Sequence, residues 1–221
     1  METKTALVLG GSGLVGRFCL QSLVADDQYG KIVVLTRRAL PIENAPKVQQ
    51  MVIDFAEINH LSFDALDDVF CALGTTIKKA GSQDAFRRID LEMPMAAARR
   101  SLEFGARQFI VVSSVDANVQ SRNFYLRMKG ELEEKLRALP FRALHIFRPS
   151  ILVGTREESR LGESIGIGLA KLLRFALVSG WRRYRLIQAA DVGRAMVAAA
   201  KSQQQGRIVY EHDEILQLAG N

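Results

Sequence analysis

Apolar residues fall into two alternating patterns along this chain, short near-continuous runs and runs spaced at about 3.6 residues. The near-continuous runs are Ala6–Leu9, Ile32–Leu35, Val48–Ile53, Asp67–Leu73, Gln108–Val112 and Arg142–Phe147. They read as strands buried on both faces of a parallel sheet. Helical spacing appears at Leu14, Val15, Phe18, Cys19 and Leu23, and again over Ser82–Gly105. In the second stretch Pro94 sits near the start of its latter part, where a missing N–H is tolerated, and Gly105 makes a stop. Asn123–Leu139 places Tyr125, Met128, Leu132 and Leu136 on one helical face. A helix capped by Asp191 and running through Ala200, then a short strand Arg207–Tyr210, complete the pattern. Pro41–Pro46 reads as a loop. Regular alternation, with neither internal repeat nor low-complexity linker, predicts an α/β protein built on a doubly wound parallel sheet. Thr155–Arg183 stands apart, glycine-punctuated and basic, with an amphipathic run through Ile165, Leu169, Leu172, Leu173 and Leu177. It predicts a small C-terminal helical substrate region over residues 155–186, inserted in a single domain of residues 1–221. The other reading of that run is a helix lying on a membrane surface.

The first strand–helix–strand unit carries glycines at Gly10, Gly13 and Gly16, between Leu9 and the helical pattern. Glycines so spaced permit a tight turn, close backbone approach to a pyrophosphate, and close packing of helix on strand. Amides at the helix N-terminus then face the phosphates. The unit therefore predicts an NAD(P)-binding Rossmann fold. At the end of the second strand, where an acidic residue would hold the ribose 2′-hydroxyl of NAD, stand Thr36, Arg37 and Arg38. Guanidinium groups there point to the 2′-phosphate of NADP(H). Their other reading is a solvated basic turn.

Composition narrows the class. The 221 residues are 48% hydrophobic and 24% charged, enough for one substantial core. No run of about eighteen apolar residues occurs, so no transmembrane segment is expected. The N-terminus enters the first strand almost at once and lacks the regions of a secretion signal. Cys19 and Cys71 fall in predicted core elements and read as buried free thiols, which gives a cytoplasmic expectation. His60, His145 and His212 lack ligand spacing, so no metal site is expected. The net charge of +6 has a local source, seven Lys or Arg against three Glu over residues 156–185. Without aromatic-interleaved basic strands or a recognition helix, this reads as a solvated face or a surface for an anionic cofactor or substrate, and not as a nucleic-acid site.

Further candidate positions lie at the predicted C-terminal edge of the sheet. Asp54 follows the third strand and is read either as an adenine contact or as a cap on the next turn. The fourth strand ends at Leu73 and Gly74, where backbone can run alongside a bound cofactor. The fifth delivers Ser113 and Ser114. Tyr125 and Lys129, spaced i, i+4, share a helix face. An ammonium near a phenol stabilises phenolate and lowers its pKa from about 10, so that a tyrosine can exchange a proton with a carbonyl or alcohol oxygen. A serine hydroxyl can hold that oxygen, and the nicotinamide would supply the hydride.

With these motifs the chain resembles the short-chain dehydrogenase/reductase superfamily, in its extended or atypical branch. The resemblance rests on GGSGLVG at Gly10–Gly16, VVSS at Val111–Ser114, YLRMK at Tyr125–Lys129 and FRPSILVG at Phe147–Gly154. Within the branch it is most similar to the Tat-interacting-protein group of NADPH-binding proteins. That likeness rests on CALGTT at Cys71–Thr76, LTRR at Leu35–Arg38, YLRMKGELEEKL at Tyr125–Leu136 and RPSILVGTREESRLGE at Arg148–Glu163. It covers essentially the whole chain. The resemblance implies that Gly10, Gly13 and Gly16 form the pyrophosphate turn with Ser12 and Leu14 near the phosphates. It also implies that Arg37, helped by Arg38, holds the 2′-phosphate, and that Pro149 and Ile151 border the nicotinamide. Tyr125 would be the proton donor, Lys129 would bind the ribose and tune Tyr125, and Ser114 would orient the substrate. Ser113 takes that place if the alignment slips by one. One departure is Asp90, where many relatives carry an Asn that organises a proton relay to the lysine; an Asp can instead pair with Lys129 or Arg87.

Two functions follow as expectations. One is NADP(H)-dependent reduction of a carbonyl or related group of a small molecule. The other is a catalytically weak or inactive NADPH-binding sensor with a regulatory protein partner. By analogy with the superfamily, a monomer or a homodimer paired through Glu92–Gly105 and Asn123–Leu139 is expected.

Overall fold

A computed structural model describes residues 3–42, 45–154 and 182–220. In chain order the elements are β1 (Lys4–Leu9), α1 (Gly16–Val24), β2 (Tyr29–Thr36), β3 (Val48–Val52), β4 (Asp68–Cys71), α2 (Ile77–Ala80), α3 (Gln83–Arg87) and α4 (Met93–Glu103). Then come β5 (Gln108–Val112), α5 (Phe124–Arg137), β6 (Ala143–Phe147), β7 (Leu152–Val153), β8 (Ile187–Gln188), α6 (Ala189–Lys201), β9 (Gly206–Tyr210) and α7 (His212–Leu218). Seven strands form one parallel sheet in the order β3-β2-β1-β4-β5-β6-β9, and β7 pairs with β8 separately. The chain steps outward from β1 to β3, then returns to β4 and steps the other way. Ligands of open α/β sheets bind where that order reverses, outside the strand C-termini.

Strand β1 shows why its residues read as a continuous apolar run. Leu7 and Leu9 pack into one layer with Met95, Ala98, Met128 and Leu132 of α4 and α5. Ala6 and Val8 pack into the opposite layer with Cys19 and Leu23 of α1 and Val192 and Met196 of α6. Side chains alternate across a strand, so a sheet covered on both faces needs apolar residues at every position. Cys19 and Cys71 are both buried free thiols, as expected.

Several strands differ by a few residues from the pattern-based reading, with β4 ending at Cys71 rather than Leu73, and larger differences lie in the helices. The Ser82–Gly105 stretch is α3, then a π-helical turn at Arg88–Glu92, then α4 with Pro94 in its first turn and Gly105 at φ +88 just beyond its end. The wider turn brings the consecutive residues Asp90 and Leu91 both into the interior. Asp191 lies in the first turn of α6 rather than at its cap, because β8 leads straight into the helix and Gln188 takes the cap position. Helix α7 was not anticipated. The cover expected over Thr155–Arg183 lies outside the described residues except Arg182 and Arg183, which belong to a 3₁₀ turn, Arg182–Tyr184. Among the described residues no helix is long and apolar enough to cross a membrane.

Candidate functional site

The C-terminal ends of β1, β2, β4 and β5 open, with the segment that follows β6, onto a groove of about 780 Å³. At one side lies the glycine turn. Gly10 has φ +81, and a Cβ there would lie 2.6 Å from the Ala72 carbonyl at the end of β4. The Gly13 amide donates to the Gly10 carbonyl at 2.8 Å. A Cβ on Gly16 would sit 2.0 Å from that same carbonyl oxygen, so the start of α1 rests directly on the turn. Ser12 and Leu14 line the groove beside it.

Charge is arranged unevenly around the cavity. Arg37 and Arg38 are exposed and line it beyond β2, where the Thr36 hydroxyl donates to the Arg38 carbonyl at 2.6 Å and holds the turn. Arg17 and Lys79 also line it. Sequence reasoning passed over both. Arg17 stands in the first turn of α1, its guanidinium 4.7 Å from the Phe18 ring centre. A cation at a helix N-terminus runs against the helix dipole unless an anion shares the site, and that was the legible signal.

Of the other candidate cofactor contacts, Leu73, Gly74 and Pro149 line the groove, whereas Asp54 and Ile151 do not. Asp54 is exposed, and its carboxylate accepts from the Ala56 amide at 3.0 Å, capping the 3₁₀ turn Phe55–His60. The buried Phe55 faces the cavity instead. Ile151 lies between the lining residues Ser150 and Leu152. In extended backbone, alternate residues face opposite sides, and the Ile151 carbonyl accepts from the Ile187 amide at 3.1 Å.

Ser114, Tyr125 and Lys129 all line the same cavity. Asn123 starts α5 by accepting from the Tyr125 and Leu126 amides, a cap of about 1 kcal/mol. The adjacent serines differ: Ser113 is buried and its hydroxyl donates to Glu133 at 2.6 Å, while the Ser114 hydroxyl bonds only weakly to the neighbouring Val115 carbonyl at 3.1 Å.

Lys129 is buried, with Nζ 6.0 Å from the Tyr125 ring centre and 2.8 Å from Asp90 Oδ1. The two form a buried ion pair. Asp90 Oδ2 accepts from the Thr75 amide at 2.9 Å. Arg87, the other candidate partner of Asp90, pairs instead with Glu92 and Glu131. Burial pulls the Lys129 ammonium down, but the Asp90 carboxylate and the Tyr125 oxygen outweigh it, and the net shift is upward.

One turn beyond Lys129, Glu133 is fully buried and was missed in the sequence. Its carboxylate accepts from Arg148 Nε at 2.9 Å and Arg148 Nη2 at 2.6 Å, and from Arg137 at 3.0 Å. That hydrogen bond to Glu133, against the opposing effect of burial, raises the Arg148 pKa. The i, i+4 continuation of the Tyr125–Lys129 stripe was the available signal. No cluster of metal-ligating side chains occurs among the described residues.

The switch-point groove and its glycine turn define an α/β protein of the Rossmann class. More narrowly, the chain belongs to the HIM1 family, whose model matches residues 39–178. It is similar to protein HTATIP2 of Rattus norvegicus, 33% identical over 99% of this chain and 90% of the relative. It is also 33% identical to "Protein FMP52, mitochondrial" of Eremothecium gossypii, over 96% of each chain. The expected likeness to the Tat-interacting-protein group is thereby borne out. Among solved structures, UDP-N-acetylglucosamine 4-epimerase of Methanobrevibacter ruminantium shares the fold at TM-score 0.70 and 16% identity, over 96% of this chain and 77% of that one. The human epimerase family protein SDR39U1, solved with NADPH, shares it at 0.64 and 15% identity, over 94% and 74%. The cytoplasmic expectation is corrected: the FMP52 relatives from several fungi are named mitochondrial. Buried thiols separate reducing from oxidising surroundings and cannot distinguish one reducing compartment from another.

Proposed function

We propose that this protein is an NADP(H)-dependent oxidoreductase that reduces a carbonyl or related group of a small molecule. The observation that carries the reading is one groove lined by the glycine turn, Arg37, Arg38, Ser114, Tyr125 and Lys129 together. The cavity fits a dinucleotide by its own chemistry. A Cβ at Gly10 would strike the Ala72 carbonyl and one at Gly16 the Gly10 carbonyl, so the tight turn and the close seat of α1 that a pyrophosphate site needs both require glycine. Arg17, Arg37, Arg38 and Lys79 line the cavity with positive charge suited to phosphates, and the two exposed arginines beyond β2 would take a 2′-phosphate. Solved neighbours of the same fold hold NADPH or NAD, which supports a nicotinamide dinucleotide, and the arginines favour the phosphorylated form.

Bound NADPH supplies the hydride. Tyr125 delivers a proton to the substrate oxygen as the alcohol forms, and Ser114 holds that oxygen by a hydrogen bond. Lys129, kept charged by Asp90, binds the ribose and favours the phenolate that proton delivery leaves behind.

A second reading is an NADPH-binding regulatory protein without turnover. It draws on the Asp90–Lys129 pair, which commits the lysine to a carboxylate instead of a proton relay. Titration with NADPH, NADP, NADH and NAD, wild type beside Arg37→Ala, tests the shared foundation. Preference for the phosphorylated pair, lost in the variant, is expected. A carbonyl-compound screen with Tyr125→Phe as control then separates the two readings, since turnover abolished by that change identifies the enzyme.

A further inference from the structure

Asp90 is the one acidic side chain among the described residues lining an otherwise basic groove. A carboxylate fully removed from water is costly, and in a cavity suited to an anionic ligand it also opposes binding. Its position shows what it offsets. Oδ1 lies 2.8 Å from Lys129 Nζ, and Oδ2 is held by the Thr75 amide, so the carboxylate is fixed against the buried ammonium. The Cys71 thiol, which also faces Lys129, adds no compensating charge near neutral pH, because burial pushes it up to about 11. The pair is therefore neutral as a unit.

That neutrality matters because the oxidised nicotinamide ring is a cation and the reduced ring is not. An uncompensated lysine at the floor of the groove would repel the oxidised form selectively. We propose that Asp90 is a specificity-determining residue that cancels the Lys129 charge, so that the groove holds NADP⁺ and NADPH with comparable affinity. The inference rests on the dinucleotide reading above but not on turnover. It suits an oxidoreductase that must release the oxidised cofactor and accept it in reverse. A regulatory protein built on the same site would respond to cofactor occupancy rather than to redox state.

The test is the ratio of NADP⁺ to NADPH dissociation constants for wild type, D90N and D90N/K129M, measured calorimetrically between pH 6 and 9. Wild type should give a ratio near unity that is flat with pH. D90N should favour NADPH by on the order of tenfold at pH 6, the size expected for like charges within about 10 Å of each other at an effective dielectric of about 20. The preference should fade towards pH 9, because burial without Asp90 lets Lys129 lose its proton. The double variant, neutral by construction of its side chains, should return to the wild-type ratio. If D90N does not fold, K129M alone carries the test with opposite sign, its unbalanced carboxylate drawing the cationic ring. An unchanged ratio in the folded single variant at every pH overturns the proposal. Failure of the wild type to bind any dinucleotide instead overturns the dinucleotide reading, and this inference with it.

Discussion

The Ser113 hydroxyl donates to the buried Glu133 carboxylate at 2.6 Å, and that bond distinguishes two adjacent serines at the end of β5. Both serines line the groove, but the Ser113 hydroxyl is committed to α5, whereas the Ser114 hydroxyl bonds only to the neighbouring Val115 carbonyl at 3.1 Å. Ser113→Ala should therefore act on stability, lowering it by about 2 kcal/mol through loss of a hydrogen bond to a charged group. Ser114→Ala should leave the unfolding curve nearly unchanged and act on turnover of any substrate found by the carbonyl screen. Urea unfolding of both variants, read beside activity, checks the division; a stability loss confined to Ser114→Ala would reverse the assignment.

Glu133 itself ties three elements together. It lies on the stripe of α5 that carries Tyr125 and Lys129, and its oxygens reach Arg148 beyond β6 and Ser113 beyond β5. Glu133→Ala should cost about 3 kcal/mol, because it strands a partly buried guanidinium. Arg137 is more exposed, and its share is small. Glu133→Gln keeps an acceptor and should cost roughly half as much. Chemical denaturation measures both, and equal losses would mean that the charge carries the whole effect and the retained acceptor none of it.

Much of this was legible in the residues, and the failures have physical causes. Gln108–Val112 forms a strand at the predicted bounds because both of its faces are buried, so its apolar run has no gaps. Asp54 is ambiguous on its own, since an acid before a turn can serve a ligand or the turn's own amides; here the amide of Ala56 takes it. The π-helical turn around Asp90 could not be read from 3.6-residue spacing, which cannot register one extra residue in a turn. Glu133 was passed over because a glutamate within GELEEKL reads as part of a solvated face, and the partners that justify its burial, Arg148 above all, come from distant parts of the chain. Helix α7 did carry a signal, the reciprocal Glu211–Glu214 capping box.

Gly16 gives the sharpest backbone prediction. An alanine Cβ would lie 2.0 Å from the Gly10 carbonyl oxygen, and neither backbone can yield without opening the turn between β1 and α1. Gly16→Ala should lower NADPH affinity on the order of a hundredfold, about 3 kcal/mol. At Gly13 the corresponding distance to the same oxygen is 3.1 Å, a contact relieved by a few tenths of an ångström, so Gly13→Ala should lose less. Fluorescence titration of the two variants, with circular dichroism to confirm folding, distinguishes them. Equal affinities would remove the turn from the binding site.

His145 should give the fold an acid-sensitive arm far from the candidate chemistry. The ring is fully buried in β6, with Nδ1 2.9 Å from the Tyr210 hydroxyl and Nε2 3.2 Å from Gln108 Oε1. Burial pushes its pKa down to about 4, against about 6.5 in an unfolded chain. The unfolded state therefore binds the proton more readily between those values. This contribution to stability is complete above pH 6.5 and is lost as the pH falls towards 4, at up to about 1.4 kcal/mol per unit and about 3 kcal/mol in all. His145→Gln keeps a polar side chain beside Tyr210 and Gln108 but cannot titrate. It should be less stable than wild type at pH 7, and the gap between them should close on acidification. Urea unfolding of both proteins at intervals from pH 7 to pH 4.5 isolates the histidine, because every other titrating group is common to the pair. A gap constant with pH would mean that the ring is protonated as easily in the fold as out of it.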